Sequence, residues 1–370
     1  MSHVIAKPEL PEVVPVAKVG RLVSLDVFRG ITIAGMILVN NPGDWGHVYP
    51  PLLHAAWHGW TPTDLIFPFF LFIVGVAMPF SFGRRLSLGD TKLKLWWHVI
   101  YRSMMLIALG MILTGIPDFN FGHKLLLDVL QRIGVVYLFA ATIVLLAGRV
   151  TQAVAAVFCL VIYWILMMVI PVPGYGAGVL APDGNVLKYV DQLLTAGWHD
   201  HGEGILSLIP SVSTVLIGSL TGIWLRTGRN PYEKAVWMFA AGAVGLVAGA
   251  IMDASFPINK LLWSPSYVIF TAGFALQMLA LCYLLIDILN YRRWSMPFLV
   301  LGMNAIAVFF LSSLAGKLLY PVGVIPWIFN NLFASWLPPY TSALGYALCY
   351  VLFWLLIMSI LYKKRIFIKI

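Results

Sequence analysis

Ten stretches of apolar side chains, each about twenty residues long, alternate with short polar segments along this chain. They run over 22–40, 64–82, 95–116, 124–147, 150–170, 205–225, 233–252, 265–289, 296–316 and 341–361. Each is long enough to cross the roughly 30 Å hydrocarbon core of a bilayer as a helix. Backbone hydrogen bonds must close within each segment in lipid, which favours helices over open strands. The short alternating segments of a membrane barrel are missing. The pattern predicts an all-α, polytopic helical membrane protein with about ten transmembrane helices. Residues 1–20 are polar and Pro-containing and read as a disordered tail, and 21–370 as one transmembrane domain. The first apolar run holds Asp26 and Arg29 without a clear small-residue cleavage site, so no signal cleavage is expected. Tyr320 to Pro339 is apolar but broken by Trp and Pro; it is expected to lie in the interface or to re-enter.

Composition supports this reading. The chain is 61% hydrophobic and 11% charged, whereas soluble domains run near 25% charged. The net charge of +9 would suit nucleic acid, but its placement argues otherwise. The N-terminal tail, 83–94, 148–149, 226–234, 290–295 and the C-terminal tail carry 17 of the 24 Lys and Arg residues. The intervening segments 41–63, 117–124, 171–204, 253–264 and 317–340 carry 4. Alternation of this kind sets membrane orientation. Both termini are therefore expected in the cytoplasm, and His47, His54, His58, His123, His199 and His201 outside. Cys159, Cys282 and Cys349 fall inside apolar runs and read as packing residues.

Ionisable groups within spans point to function. Asp26 and Arg29 share a helix face, as a self-neutralising pair or as part of an anion site. With Arg102 on the third span, two arginines near the inner interface suit the phosphates of a nucleotide, which guanidinium forks bind bidentately. Arg84 and Arg85 extend the positive field at that mouth. Asn40 ends the first span, as a cap or as a donor to a developing oxyanion. His54 and His58 are four apart and could bind zinc with His199 and His201 if helical. Gly59 signals a turn, however, and no Glu completes a protease-type motif, so no metal is expected. Proton transfer suits a histidine at a membrane-edge pocket better. Asp64 caps the second span or orients a catalytic imidazole. Arg132, deep in the fourth span, is expected to find Asp128, Asp26, Asp64 or a bound anion. Glu203, Ser264, Tyr267 and Asn304 are caps, interhelical contacts or sugar ligands.

The segments LDVFRG…VN, HAAWHGWTPTDLIFPFFLFIVG, LQRIGVVY, GEGILSLIPSVSTVLIG, LWSPSYVIFTAG and PFLVLGMNAIAV together resemble the heparan-α-glucosaminide N-acetyltransferase family. That resemblance, which also takes in bacterial relatives, implies acetyl transfer from cytoplasmic acetyl-CoA to the amine of a glucosamine-type sugar across the membrane. It assigns catalytic roles to His54, Asn40 and Asp64, and matches Arg132 to the arginine of its Leu-Gln-Arg block. Beside that resemblance, the residues' own chemistry would put coenzyme A at Arg29, Arg102, Arg132, Arg84 and Arg85, and the acceptor near Trp57, His58, Glu203, Ser264, Tyr267 and Asn304. A bacterial inner-membrane location, with transfer to the periplasmic side, and a homodimer follow from the same likeness. His54 would be a general base or an acetyl-accepting nucleophile. Transport of amino sugars or oligosaccharides is the rival reading, since transporters also use intramembrane charges and broken helices.

Overall fold

The computed structural model describes residues 22–116, 128–195 and 203–368. The tail 1–20 and His123, His199 and His201 lie outside the described residues. Among the described residues, nine helices are long and apolar enough to cross a membrane. In chain order the α-helices are α1 (Val23–Asn40), α2 (Ile66–Ser87), α3 (Lys92–Gly115), α4 (Val129–Leu146), α5 (Arg149–Val169), α6 (Val186–Thr195) and α7 (Leu208–Leu225). They continue as α8 (Pro231–Met252), α9 (Pro265–Cys282), α10 (Met296–Met303), α11 (Ala305–Leu319), α12 (Val324–Phe329) and α13 (Pro339–Lys363). No strand occurs among the described residues, only an isolated bridge between Val172 and Gly176.

Two segments depart from the ten-span pattern. The apolar run 296–316 is not one straight span: it is α10 and α11, bent by 71° at Asn304. The Asn304 amide donates from Nδ2 to the carbonyl of Ile366 (3.2 Å) and accepts from the Ile368 N–H (2.9 Å). The side chain thus replaces a β-type pairing partner and fastens the segment after α13 to the elbow. The other departure is α6, a helix inside the segment 171–204 that the sequence reads as a Gly- and Pro-rich loop. Asn185 starts it by accepting from the Lys188 N–H at 2.8 Å. Val186 and Leu187 then pack with Tyr163, Phe256 and Leu262. The short apolar stretch before α13 folds as a helical piece, Val324–Ala334, below span length.

Small residues set how closely the main helices approach. A Cβ on Gly75 would lie 2.0 Å from the Val215 carbonyl oxygen, and one on Gly218 would lie 2.2 Å from that of Phe72. The backbones of α2 and α7 are therefore in direct contact. The same holds for α10 and α1, where a Cβ on Gly302 would lie 1.9 Å from the Asp26 carbonyl oxygen. Apolar side chains from α1, α2, α3, α4, α7, α9 and α13 fill the largest buried cluster. This rigid packing fixes the first turn of α2, from which the site is built.

Candidate active site

The α1–α2 connection is a polar loop whose end is locked by one carboxylate. Asp64 sits in the short 3₁₀ turn Pro62–Leu65 that leads into α2. Its Oδ2 accepts from the N–H groups of Thr61 and Ala55, both at 3.0 Å. Thr61 and Asp64 form a reciprocal cap, and Pro62 occupies the first helical position, where a missing N–H costs nothing. The Tyr267 hydroxyl of α9 donates to the Asp64 carbonyl oxygen at 2.5 Å. With one oxygen committed to the loop, Oδ1 is left for His54 Nδ1, 2.6 Å away. The carboxylate is 1% exposed and the imidazole 50%. Asp64 therefore both caps and orients. A buried carboxylate that accepts from Nδ1 favours the tautomer with the proton there and leaves the lone pair on Nε2.

A lysine that the sequence offers only as a lone basic residue completes the cluster. Lys260 Nζ lies 3.1 Å from His54 Nε2 and 3.2 Å from Nδ1. It is also 4.0 Å from Asp64 Oδ1 and 4.0 Å from Glu203 Oε1. Glu203 in turn pairs with Arg132 Nη1 at 2.6 Å. Arg132 lies in the first turn of α4, nearer the helix end than the apolar run suggests, because α4 begins at Val129. Its partner is Glu203, not Asp26, Asp64 or Asp128. Its guanidinium is fully buried, donates from Nη2 to the Ser207 carbonyl (3.2 Å) and Ser211 Oγ (2.8 Å), and stacks 4.4 Å over Trp263. Asp191 of α6 accepts from the Ile205 N–H at 2.9 Å, so α6 positions the turn that follows Glu203.

The loop carrying Lys260 is held from several directions. The Gly59 N–H donates to the Ile258 carbonyl at 2.8 Å, tying it to the His54 loop. Asn259 accepts from the Leu262 N–H at 2.9 Å, and its own N–H donates to Ser264 Oγ at 3.0 Å. Trp263 takes a left-handed backbone, φ 51°, which is uncommon for a bulky residue. Its buried ring lies between Arg132, Phe67 and Tyr267.

The other predicted site residues divide by position. Ser264 is buried and caps α9, and Tyr267 acts on the Asp64 backbone. Trp57 donates its indole N–H to the Leu180 carbonyl at 2.9 Å. His58 faces Asn259 (3.4 Å), so it does not join His54. Asn41 supplies the α1 cap by donating to the Ile37 carbonyl at 2.8 Å, which leaves the neighbouring Asn40 exposed at the helix end. Among the described residues, no group of three or more His, Cys, Asp or Glu is placed to hold a metal ion.

Asn304 belongs to the other end of the bundle, with the Asp26 and Arg29 pair. Arg29 Nη1 reaches Asp26 at 3.1 Å and the Gly302 carbonyl at 3.5 Å. Arg84 and Arg85 lie in the last turn of α2. Arg102 is ten residues, or about 15 Å, into α3, deeper than the inner interface expected for it. It lies 5.0 Å over the Tyr137 ring, and its Nε is buried without a hydrogen-bond partner. An orphaned buried guanidinium nitrogen fits an anionic ligand at that depth.

A family model described as the catalytic part of heparan-alpha-glucosaminide N-acetyltransferase matches residues 21–248. The human protein of that name is 30% identical over 95% of this chain and 60% of its own. The mouse protein is 28% identical over the same shares. The chain thus spans about 60% of the length of these relatives.

Proposed function

Because the chain belongs to the heparan-α-glucosaminide N-acetyltransferase family, we propose that it transfers an acetyl group from acetyl-CoA to the amine of a glucosamine-type sugar, with His54 as the working residue. The observation that carries this is the dyad: a half-exposed imidazole whose Nδ1 is held 2.6 Å from a buried carboxylate. Such a pair leaves the lone pair on Nε2, the atom that would meet the reacting groups. In direct transfer, the acceptor amine attacks the thioester carbonyl as His54 takes its proton. The C–N bond forms, the C–S bond breaks, and the proton passes to the departing thiolate. In the two-step route, Nε2 attacks the thioester carbonyl and the C–S bond breaks, with coenzyme A leaving as thiolate. The amine then attacks the acetyl-imidazole, and the C–N bond forms as the bond to Nε2 breaks. The amine's proton goes to neutralise the thiolate. Asn40, exposed where α1 reaches this end, would donate to the oxyanion in either route.

Sidedness belongs to the same reading. The termini, Arg29, Arg84, Arg85 and Arg102 mark the cytoplasmic, donor side, and His54 the periplasmic side of a bacterial inner membrane. Arg29 and Asn40 are eleven residues apart on α1, about 16 Å of helix rise. Coenzyme A phosphates held near Arg29 therefore leave only a short distance for the pantetheine arm to span. The acceptor would sit beside His54 and Glu203.

Reconstituting the protein in liposomes, with labelled acetyl-CoA on the donor side and glucosamine on the other, tests this directly. Labelled N-acetylglucosamine on the acceptor side supports it. Uptake of unmodified glucosamine without acetyl-CoA, and no label transfer, would show a transporter instead.

A further inference from the structure

Resting on the acetyltransferase reading, we propose that Lys260 is a further catalytic residue of this site: its ammonium donates to the acyl oxygen as negative charge gathers there. Lys260 Nζ is 3.1 Å from His54 Nε2 and 3.2 Å from Nδ1. Near-equal reach to both nitrogens from the ring edge would drive Nζ into Cε1, so it lies over a ring face. The line along which Nε2 meets an acyl carbon is therefore left open. An oxygen on that carbon is two bonds from Nε2, which on the covered face falls within hydrogen-bond reach of Nζ. In direct transfer the oxygen stands further out by the acceptor amine, a difference that a flexible four-carbon stem covers.

What Nζ does not touch supports this role. The carboxylate oxygens facing it, on Asp64 and Glu203, are both 4.0 Å away, too far for a hydrogen bond. Among the described residues no carboxylate, carbonyl or hydroxyl oxygen accepts from it, so its donors are unspent on a side chain only 17% exposed. The loop beneath it is held in advance. Asp253 accepts from the Ile258 N–H at 2.6 Å, and the Gly59 N–H donates to the Ile258 carbonyl at 2.8 Å. The Trp263 N–H donates to the carbonyl of Lys260 itself at 3.0 Å. Donors fixed before reaction need no reorganisation as charge develops. The step is the same in both routes. As the nucleophile adds, the C=O electron pair moves onto oxygen and the Nζ–H donates to it, keeping its proton. When the C=O re-forms, the C–S bond breaks and the thiolate leaves. Asn40 supplies a neutral donor and Lys260 a charged one.

Two reagents that modify His54 by different routes test this. Diethyl pyrocarbonate acylates an imidazole through an oxyanion, whereas iodoacetamide alkylates it and forms none. Both need the unprotonated ring, so the ratio of the two rates on the His54 peptide, followed by mass spectrometry, cancels its protonation. In full-length Lys260→Met that ratio should fall at least about tenfold. The kcat for acetyl transfer should fall about 10²–10³-fold with KM for acetyl-CoA nearly unchanged. Lys260→Arg, which keeps charge and donors, should restore most of both. A ratio that stays at the wild-type value in folded Lys260→Met overturns the proposal even where transfer slows, because the lysine then acts only by positioning His54. Should that variant not fold, the wild type decides. His47 faces Asp44 at 2.7 Å with no lysine or arginine nitrogen in hydrogen-bond range among the described residues. The acylation-to-alkylation ratio of His54 should exceed that of His47 at least about tenfold, and an equal ratio refutes the role of Lys260. If wild type transfers no acetyl group, the acetyltransferase reading fails while the ratio still reports on Lys260.

Discussion

One oxygen of Asp64 belongs to the backbone of its own loop and the other to an imidazole, so a single side chain sets both the turn and the tautomer. This division makes the residue-scale predictions separable. His54→Ala should lower acetyl transfer by about 10²–10⁴-fold, the usual contribution of a positioned proton-transfer group, measured by product formation. Asp64→Asn keeps an acceptor for the Thr61 and Ala55 N–H groups but loses the charge. It should depress turnover by a comparable factor while the protein still elutes as a folded species. Tyr267→Phe removes one bond to a backbone carbonyl, worth about 1 kcal/mol, so activity should fall by less than about tenfold. Much of this end of the site can be read in the chain: HAAWHGWTPTD places a histidine ten residues before a capping aspartate. Lys260 cannot be read that way. It is 206 residues from His54 and sits in no periodic pattern, and only the docking of two loops brings them together. The Arg132–Glu203 pair was hidden for the same reason.

At the scale of helices, hydropathy gives the number and order of spans but not their breaks. The pattern 296–316 reads as one apolar run because the Asn304 elbow keeps its neighbours hydrophobic; only the amide marks the 71° bend. The helix α6 is obscured by the Gly and Pro residues that precede it, and it forms because Val186 and Leu187 find a buried surface far along the chain. Close backbone approach leads to a firm expectation. Gly75→Leu or Gly218→Leu would push side-chain atoms into the facing carbonyls, at 2.0 and 2.2 Å for the first carbon alone. Either should abolish the monodisperse peak in detergent chromatography. Gly148→Ala, where an added Cβ meets nothing within 4 Å, should leave that peak intact.

For the molecule as a whole, the two clusters lie at opposite ends of α1, and the proposed activity requires those ends to face different compartments. In a background lacking Cys159, Cys282 and Cys349, a cysteine replacing Asp90 should react with an impermeant maleimide only from the donor side. One replacing Trp45, which is 62% exposed, should react only from the acceptor side. Labelling of both from one side would refute the orientation and with it transfer across the membrane. The Asn304 amide adds a timetable to this architecture. Its partners, Ile366 and Ile368, follow α13, so the elbow beside Arg29 and Gly302 stays unfastened until that helix has left the ribosome. During synthesis the helices around His54 can thus come together first, and the Arg29 end is closed only once the residues that follow α13 have been made.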